Sequence, residues 1–110
     1  MTDVNAEVLH LLKRQGDGLT ALRDIEHFAY FPTPEARTEF IYNSLKAGLR
    51  LRNTSEPPEP GAGFGAILFH KDVPDEHLLA QVVKLLTDFA AASGGRYDGW
   101  ETQVVQGASK

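Results

Sequence analysis

The sequence predicts an α+β domain: one four-stranded antiparallel sheet with two helices on one face, preceded by an additional N-terminal helix. Two stretches begin as helices do, each with a capping side chain and a proline ahead of apolar residues at helical spacing. Four other stretches are rich in aromatic and aliphatic residues and are bounded by glycine, proline or polar residues, as strands are. Their order, strand–helix–strand–strand–helix–strand, is the split β-α-β repeat of a ferredoxin-like fold.

The N-terminal helix is predicted from four apolar residues that fall at i, i+4, i+7 and i+8. They are Val4, Val8, Leu11 and Leu12. Gly16-Asp17-Gly18 ends this helix. We therefore divide the chain into an N-terminal helix at 1–17, a ferredoxin-like domain at 18–106 and a short tail at 107–110.

The first strand of the domain is predicted at Arg23–Phe31, where aromatic and aliphatic residues are dense. Its more apolar face should meet the helices, and that face consists of Ile25, His27, Ala29 and Phe31. A second strand, 49–52, alternates cleanly and is expected at an edge of the sheet, where its arginines discourage pairing with another chain. A third, 64–70, is apolar on both faces and should be central.

The two helices of the domain have clear starts and stops. The first begins at Thr33-Pro34, with threonine as the cap and proline in the first turn, and Gly48 ends it. The second begins at Asp72-Val73-Pro74, and Gly94-Gly95 ends it. Its wide apolar stripe predicts the most buried helix of the chain.

The last strand, predicted at 97–106, opens with Tyr97-Asp98-Gly99-Trp100-Glu101 and holds the only tryptophan. Strict alternation places Asp98 and Trp100 on one face and Tyr97 and Glu101 on the other. A bulge at Gly99 would change that phase. The segment is interpreted either as packing for the final strand or as an aromatic and acidic surface for a partner.

Composition limits the function classes. The chain has 110 residues, enough for one domain, and no cysteine, which excludes disulfides and thiolate metal sites. With 15 acidic and 11 basic side chains the formal net charge is −4, which disfavours direct nucleic-acid binding and favours a basic protein partner. The sequence has no apolar run long enough for a membrane span and no signal-peptide pattern, so a cytoplasmic protein is expected.

Acidic residues of the first and last strands are the candidate binding residues, together with the tryptophan between them. They are Asp24, Glu26, Asp98, Trp100 and Glu101. An alternative is a small-ligand or enzymatic site in which these acids work with His27 as general acid and base. The sequence offers no nucleophile and no phosphate-binding loop beside them.

Histidines raise a second question, because His27 and His70 would approach one another if their strands were neighbours. Glu26 or Asp72 would then be the only further ligands, and the spacing does not support a metal site. We predict no metal and no cofactor.

A further alternative is single-stranded RNA binding on the open sheet face. RNA-recognition modules of this topology stack bases on aromatic side chains, and Phe28, Tyr30 and Trp100 would form such a platform. The neighbouring acids would repel phosphates, so a protein partner suits the surface better.

Two segments together resemble the RraB family, the regulators of ribonuclease activity B. They are Arg23-Asp24-Ile25-Glu26-His27-Phe28-Ala29-Tyr30-Phe31 and Tyr97-Asp98-Gly99-Trp100-Glu101. The likeness runs from Gly18 to Val105 and includes the order of the elements. It implies a ferredoxin-like domain of the bacterial cytoplasm that inhibits the endoribonuclease E by binding it and does not cut RNA. The best-known members carry a long acidic C-terminal extension, whereas this sequence ends at Gly107-Ala108-Ser109-Lys110.

The prediction is therefore a non-enzymatic, protein-binding regulator of an E-type ribonuclease, which uses the acidic and aromatic surface named above. It is expected to be a monomer or a weak dimer.

Overall fold

The computed structural model describes the backbone of residues 4–105 and the side chains of residues 7–105. The predicted tail, 107–110, lies outside the described residues. Three helices and four strands follow one another along the described chain. They are α1 (Val4–Arg14), β1 (Arg23–Phe31), α2 (Pro34–Lys46), β2 (Arg50–Ser55), β3 (Phe64–Asp72), α3 (Glu76–Ala92) and β4 (Arg96–Thr102).

The four strands form one open sheet in the order β2-β3-β1-β4, and every neighbouring pair is antiparallel. The fold is therefore α+β, as predicted. β1 and β3 are the central strands and β2 lies at an edge. The positions of β3 and β2 are as predicted. β1 pairs with β3 along its whole length, from Arg23 opposite Asp72 to Phe31 opposite Phe64.

Burial alternates strictly along β1, because one face of the sheet is covered by helices and the other is open. The predicted helix-facing set of β1 is confirmed, since Ile25, His27, Ala29 and Phe31 are all buried. The main core lies between the sheet and helices α2 and α3. It consists of Ala29, Phe31, Phe40, Leu49, Ala66, Leu68, Leu86 and Ala90.

A second apolar cluster attaches α1 to the rest of the domain. Leu9 and Leu12 of α1 pack with Ile25 of β1 and Leu79 of α3. Trp100 of β4 packs against this cluster. Of the predicted apolar stripe, Leu12 is buried and Val8 packs against the cluster, whereas Leu11 is exposed and Leu9, outside the stripe, is buried in its place.

The helix starts are partly as predicted. Thr33 caps α2, and its hydroxyl oxygen accepts a hydrogen bond from the Ala36 amide at 3.1 Å. The predicted start of α3 at Asp72 is wrong, because β3 extends to Asp72 to pair with β1. Asp75 is the cap instead, and its carboxylate accepts from the Leu78 amide at 2.9 Å.

Two strand ends also differ from the prediction. β2 runs to Ser55, beyond the predicted end at Arg52, and contains a bulge between Leu51 and Asn53. β4 ends at Thr102, so Val104 and Val105 follow the sheet without being strand. Across residues 4–105, none of the helices combines the length and hydrophobicity of a transmembrane span.

Candidate partner-binding surface

The face of the sheet that carries no helix, called here the open face, presents alternate residues of the four strands. From β1 it takes Asp24, Glu26, Phe28 and Tyr30, and from β3 and β4 their register partners Lys71, Phe69, Ile67, Gly65, Glu101, Gly99 and Arg96. β1 runs through the middle of this surface. Its acids lie toward one end of the strand and its aromatic residues toward the other.

At the acidic end, Asp24, Glu26 and Glu101 line a depression of about 300 Å³. Glu26 and Glu101 are opposite one another in the β1–β4 register, a like-charge pair that is unfavourable in isolation. Arg52 compensates in part, with its guanidinium 2.7 Å from Asp24 and 3.0 Å from Glu26. Lys71 lies 3.3 Å from Asp24.

The charge balance of the acidic end follows from these contacts. Hydrogen bonds from Arg52 and then Lys71 hold the pKa of Asp24 below its ordinary value of 3.8. Three carboxylates therefore face two cations, and among the described residues Glu101 forms no ion pair. One negative charge is left for a partner.

The centre of the open face is apolar, with Phe28, Ile67 and Phe69 all partly buried. Arg52 lies over the Phe69 ring, with its guanidinium carbon 4.1 Å from the ring centre, and Arg50 lies 5.7 Å from the same ring. These cation–π contacts keep the aromatic surface covered in part by charged side chains.

Beyond Tyr30 the open face leads into a cleft of about 460 Å³, called here the end cleft. Its lining is aromatic, proline and glycine, with one cation, and consists of Tyr30, Phe31, Pro32, Pro57, Gly61, Ala62, Gly63, Phe64, Gly94, Gly95 and Arg96. Arg96 lies 5.0 Å from the centre of the Tyr30 ring. The β2–β3 loop, which contributes Pro57 and Gly61, forms one wall of this cleft.

The predicted faces of β4 are wrong because of a bulge. Gly99 pairs with Phe28 and Tyr97 pairs with Ala29, so Asp98 is an extra residue between them. Gly99 has φ +123°, a conformation that favours glycine. Tyr97 and Trp100 consequently both lie on the helix side of the sheet, whereas Asp98 is exposed at the bulge.

His27 lies on the opposite side of the sheet from the acids with which it was grouped. It is 2% exposed, and its Nε2 is 2.9 Å from Nε2 of His70 while its Nδ1 is 2.8 Å from the Tyr97 hydroxyl. Nδ1 of His70 is 2.6 Å from the Asp72 carboxylate. The structure therefore brings the two histidines together and separates both from Glu26.

This buried chain has one consistent direction when both imidazoles are neutral. The Asp72 carboxylate accepts only, so His70 donates to it through Nδ1 and accepts at Nε2 from His27. His27 then accepts at Nδ1 from the Tyr97 hydroxyl. Desolvation, with a smaller effect of His70, lowers the pKa of His27 to about 3, and burial raises the pKa of Tyr97.

The histidine chain lacks the ligand set of a metal site. The Asp72 carboxylate is bonded to the far nitrogen of His70 and does not converge with the two Nε2 atoms. Within the described part of the chain, no group of three or more histidine and acidic side chains is placed to hold a metal ion.

A second buried polar feature was not predicted. Asp17 forms an ion pair with Arg23, and the two side chains are 0% and 2% exposed. The Asp17 carboxylate also accepts from the Val105 amide at 3.1 Å, and Arg23 donates to the Gln103 carbonyl at 3.0 Å. This arrangement, called here the clasp, ties the segment after α1 to the segment after β4. Adjacent glycines made Asp17 look like part of a helix stop, and no local pattern signals its distant partners.

A known protein family matches this chain. The family model described as "Regulator of ribonuclease activity B", RraB, matches residues 2–102, which covers almost all of the described chain. A search of curated proteins finds no match.

Proposed function

Because the chain belongs to the RraB family, the regulators of ribonuclease activity B, we propose that it regulates an E-type endoribonuclease by binding that enzyme. Its role is steric or allosteric, and it does not cut RNA. The family match over residues 2–102 carries this proposal. The strand order supports the finer assignment of the domain as ferredoxin-like, since β4-β1-β3-β2 is the antiparallel arrangement that a split β-α-β repeat produces.

The acidic end of the open face is the proposed contact surface. Glu101 is opposite Glu26 and has no ion pair among the described residues, so a basic side chain of the partner would relieve a repulsion that the free domain retains. Asp24 and Glu26 belong to the same surface through Arg52. Asp98 is exposed at the neighbouring bulge and extends the acidic surface along β4.

Trp100 has a different place in the proposal. Its side chain is partly buried against the α1 cluster, on the side of the sheet away from the acids. We propose that Trp100 supports the surface by anchoring β4 and that the acids make the contact.

The enzymatic alternative loses its geometric basis, because His27 is buried on the helix side and the acids are on the open face. The RNA alternative retains Phe28 and Tyr30 on the open face but not Trp100. It therefore remains as an outcome that the experiment must distinguish.

The experiment is a cleavage assay with the ribonuclease E of the source organism and a short fluorescent RNA. Adding the domain should slow cleavage to a saturating level, and the two proteins should migrate together in sedimentation velocity. A gel shift of the RNA with the domain alone at low salt would instead assign the inhibition to substrate sequestration. Unchanged cleavage at tens of micromolar domain, with no complex, would refute the proposal.

Glu101→Lys is the most informative substitution, because Glu101 has no described ion pair to disturb. We expect the concentration for half-maximal inhibition to rise about ten-fold or more, with the unfolding midpoint retained. Asp88→Lys is the matched control, since it makes the same charge change on α3, where Asp88 pairs only with Lys84 at the surface. Equal inhibition by the Glu101→Lys variant and the wild type would remove this surface from the proposal. Asp24→Lys should also weaken inhibition, although it releases Arg52 as well.

We propose that the protein is cytoplasmic and a monomer or weak dimer. The β2 edge, all of whose residues are exposed, is the proposed site of any self-association, and Arg50 and Arg52 limit pairing there.

A further inference from the structure

The open face has two distinct ends joined by one strand. β1 carries the acidic end at Asp24 and Glu26 and reaches the end cleft at Tyr30. Glu26 of the acidic end and Pro32 of the cleft lining are six residue steps apart along the chain, or about 20 Å at about 3.3 Å per residue. Between the ends lie Phe28 and Ile67, which are partly buried, and Gly99 beside Phe28 adds no side chain there. Arg52 covers part of the neighbouring Phe69 ring.

The charges of the two ends are opposite. Glu101 leaves the acidic end negative, whereas Arg96 is the one charged residue among those of 7–105 that line the end cleft. A basic group is therefore attracted to one end and repelled from the other, while an apolar group has a cavity only at the cleft.

The end cleft suits one apolar side chain. It holds about 460 Å³ between aromatic and proline walls, and its glycines leave backbone exposed to a ligand. Gly95 is required there, because a Cβ at that position would overlap the Phe31 ring. The walls thus depend on close packing of β1 against the α3–β4 turn.

We propose that the open face binds an extended segment of a partner protein that carries a basic residue about six positions from an apolar anchor residue. The basic residue pairs with Glu101 and Glu26, and the anchor fills the end cleft beside Tyr30. The identity of the partner in this inference rests on the proposed function. The basic and apolar residues of its segment follow from the charges and the cleft of the open face alone. Such two-point recognition by an extended peptide uses one pocket for specificity and one charge pair for register.

The test is selection of random twelve-residue peptides displayed on phage against the immobilised domain. We expect enriched peptides to share a lysine or arginine about six positions from a phenylalanine, leucine or similar residue. A labelled synthetic peptide of the enriched sequence then gives a dissociation constant by fluorescence anisotropy. Shortening its spacing to three residues should weaken binding about ten-fold.

Two variants address the two ends separately. Ala62→Trp places a large side chain in the end cleft, and Glu101→Lys removes the unpaired negative charge of the acidic end. Each variant should raise the dissociation constant of the peptide about ten-fold or more. Asp88→Lys should leave binding unchanged. Circular dichroism and unfolding midpoints establish that each variant is folded.

Several results would overturn the inference. They are enrichment of peptides without the paired pattern, insensitivity of peptide binding to either variant, or single-stranded RNA that displaces the peptide and binds more tightly after Glu101→Lys. The cleavage assay keeps the two proposals apart. If the Ala62→Trp and Glu101→Lys variants both still inhibit cleavage, the proposed regulation stands and the proposed peptide-binding surface is wrong. If the domain binds the peptide but does not inhibit cleavage, the peptide-binding surface stands and the proposed regulation is wrong.

Discussion

His27 shows how a single buried residue makes the stability of the domain depend on pH. Its ring is enclosed between the sheet and the helices, and both nitrogens are used by neutral partners, Tyr97 and His70. A second proton on His27 would place a charge in this enclosed site and turn Nδ1 into a donor, so that the Tyr97 hydroxyl would have to accept. Desolvation therefore lowers the pKa of His27 to about 3 in the folded state, against 6.5 in the unfolded chain.

The first prediction is loss of stability on mild acidification. Below pH 6.5 His27 of the unfolded chain binds a proton, whereas in the folded state it stays neutral until about pH 3. The unfolded state therefore binds more protons in this pH window, and the free energy of unfolding falls as the pH falls through it. Between pH 7 and pH 5 we expect the free energy of unfolding to fall by about 2 kcal/mol, measured by urea titration.

The control for this prediction is His27→Gln, which keeps hydrogen-bonding capacity without the titration. Its stability should change much less between pH 7 and pH 5. Asp17, whose pKa is lowered to about 2 chiefly by its hydrogen bond from Arg23, loses its contribution only below pH 3.8 and so does not confuse the comparison. An equal loss in both proteins would place the acid sensitivity elsewhere.

At the scale of elements, the β4 bulge decides what the open face contains. Without it, strict alternation would keep Trp100 on the same face as Asp98. With Asp98 as the extra residue, Tyr97 reaches His27 and Trp100 reaches the α1 cluster, while Glu101 faces Glu26. The place of Glu101 in the acidic end thus depends on the bulge at Gly99, which has φ +123°.

The second prediction follows from that glycine. Gly99→Val should destabilise the domain by about 1–3 kcal/mol, because a β-branched residue is strained at a positive φ even though no atom lies within 4 Å of its Cβ. Trp100, the only tryptophan, follows directly and reports the change by its fluorescence during denaturation. Asp98→Ala at the same bulge should change stability by less than about 0.5 kcal/mol. Comparable stability of Gly99→Val and wild type would argue against the bulge.

The same element explains where sequence reasoning succeeded and where it did not. The faces of β1 were predictable, because the set with Ile25, Ala29 and Phe31 is more apolar than the set with Asp24 and Glu26, and burial follows that difference. The phase of β4 was not, since a period of two cannot locate an inserted residue. The capping role of Asp75 was hidden for a related reason: pairing with β1 extends β3 to Asp72, and only the sheet partner reveals that extension.

For the candidate surface, the acidic residues could be predicted from the sequence, but their cationic partners and the end cleft could not. Asp24, Glu26 and Glu101 were identified from strand positions, and the structure brings them together in one depression. Arg52 and Lys71, which compensate two of these acids, lie on other strands and follow only from the order β2-β3-β1. The end cleft combines three connecting segments with the ends of three strands, so no local pattern indicates it.

At the scale of the whole molecule, the clasp joins the two ends of the described chain. Asp17 follows α1, Arg23 begins β1, and the groups that they bind at Gln103 and Val105 follow β4. The α1 cluster lies beside it through Leu12 and Ile25. Helix α1 is therefore held to the sheet by apolar packing and by one buried ion pair, and the third prediction separates these contributions.

Asp17→Ala should destabilise the domain by about 3–5 kcal/mol, because it leaves the Arg23 guanidinium buried without its counter-charge and the Val105 amide without an acceptor. Arg23→Met removes the cation instead, and the double variant replaces the pair by apolar groups. A buried charge is costly only when its partner is missing, so the double variant should be less destabilised than the sum of the single variants by at least about 2 kcal/mol. The free energy of unfolding of the double variant should still be about 1–3 kcal/mol below that of the wild type, because the Val105 and Leu19 amides lose their acceptor. Urea unfolding of the four proteins measures this cycle, and additive losses would show that the clasp contributes no more than its separate hydrogen bonds.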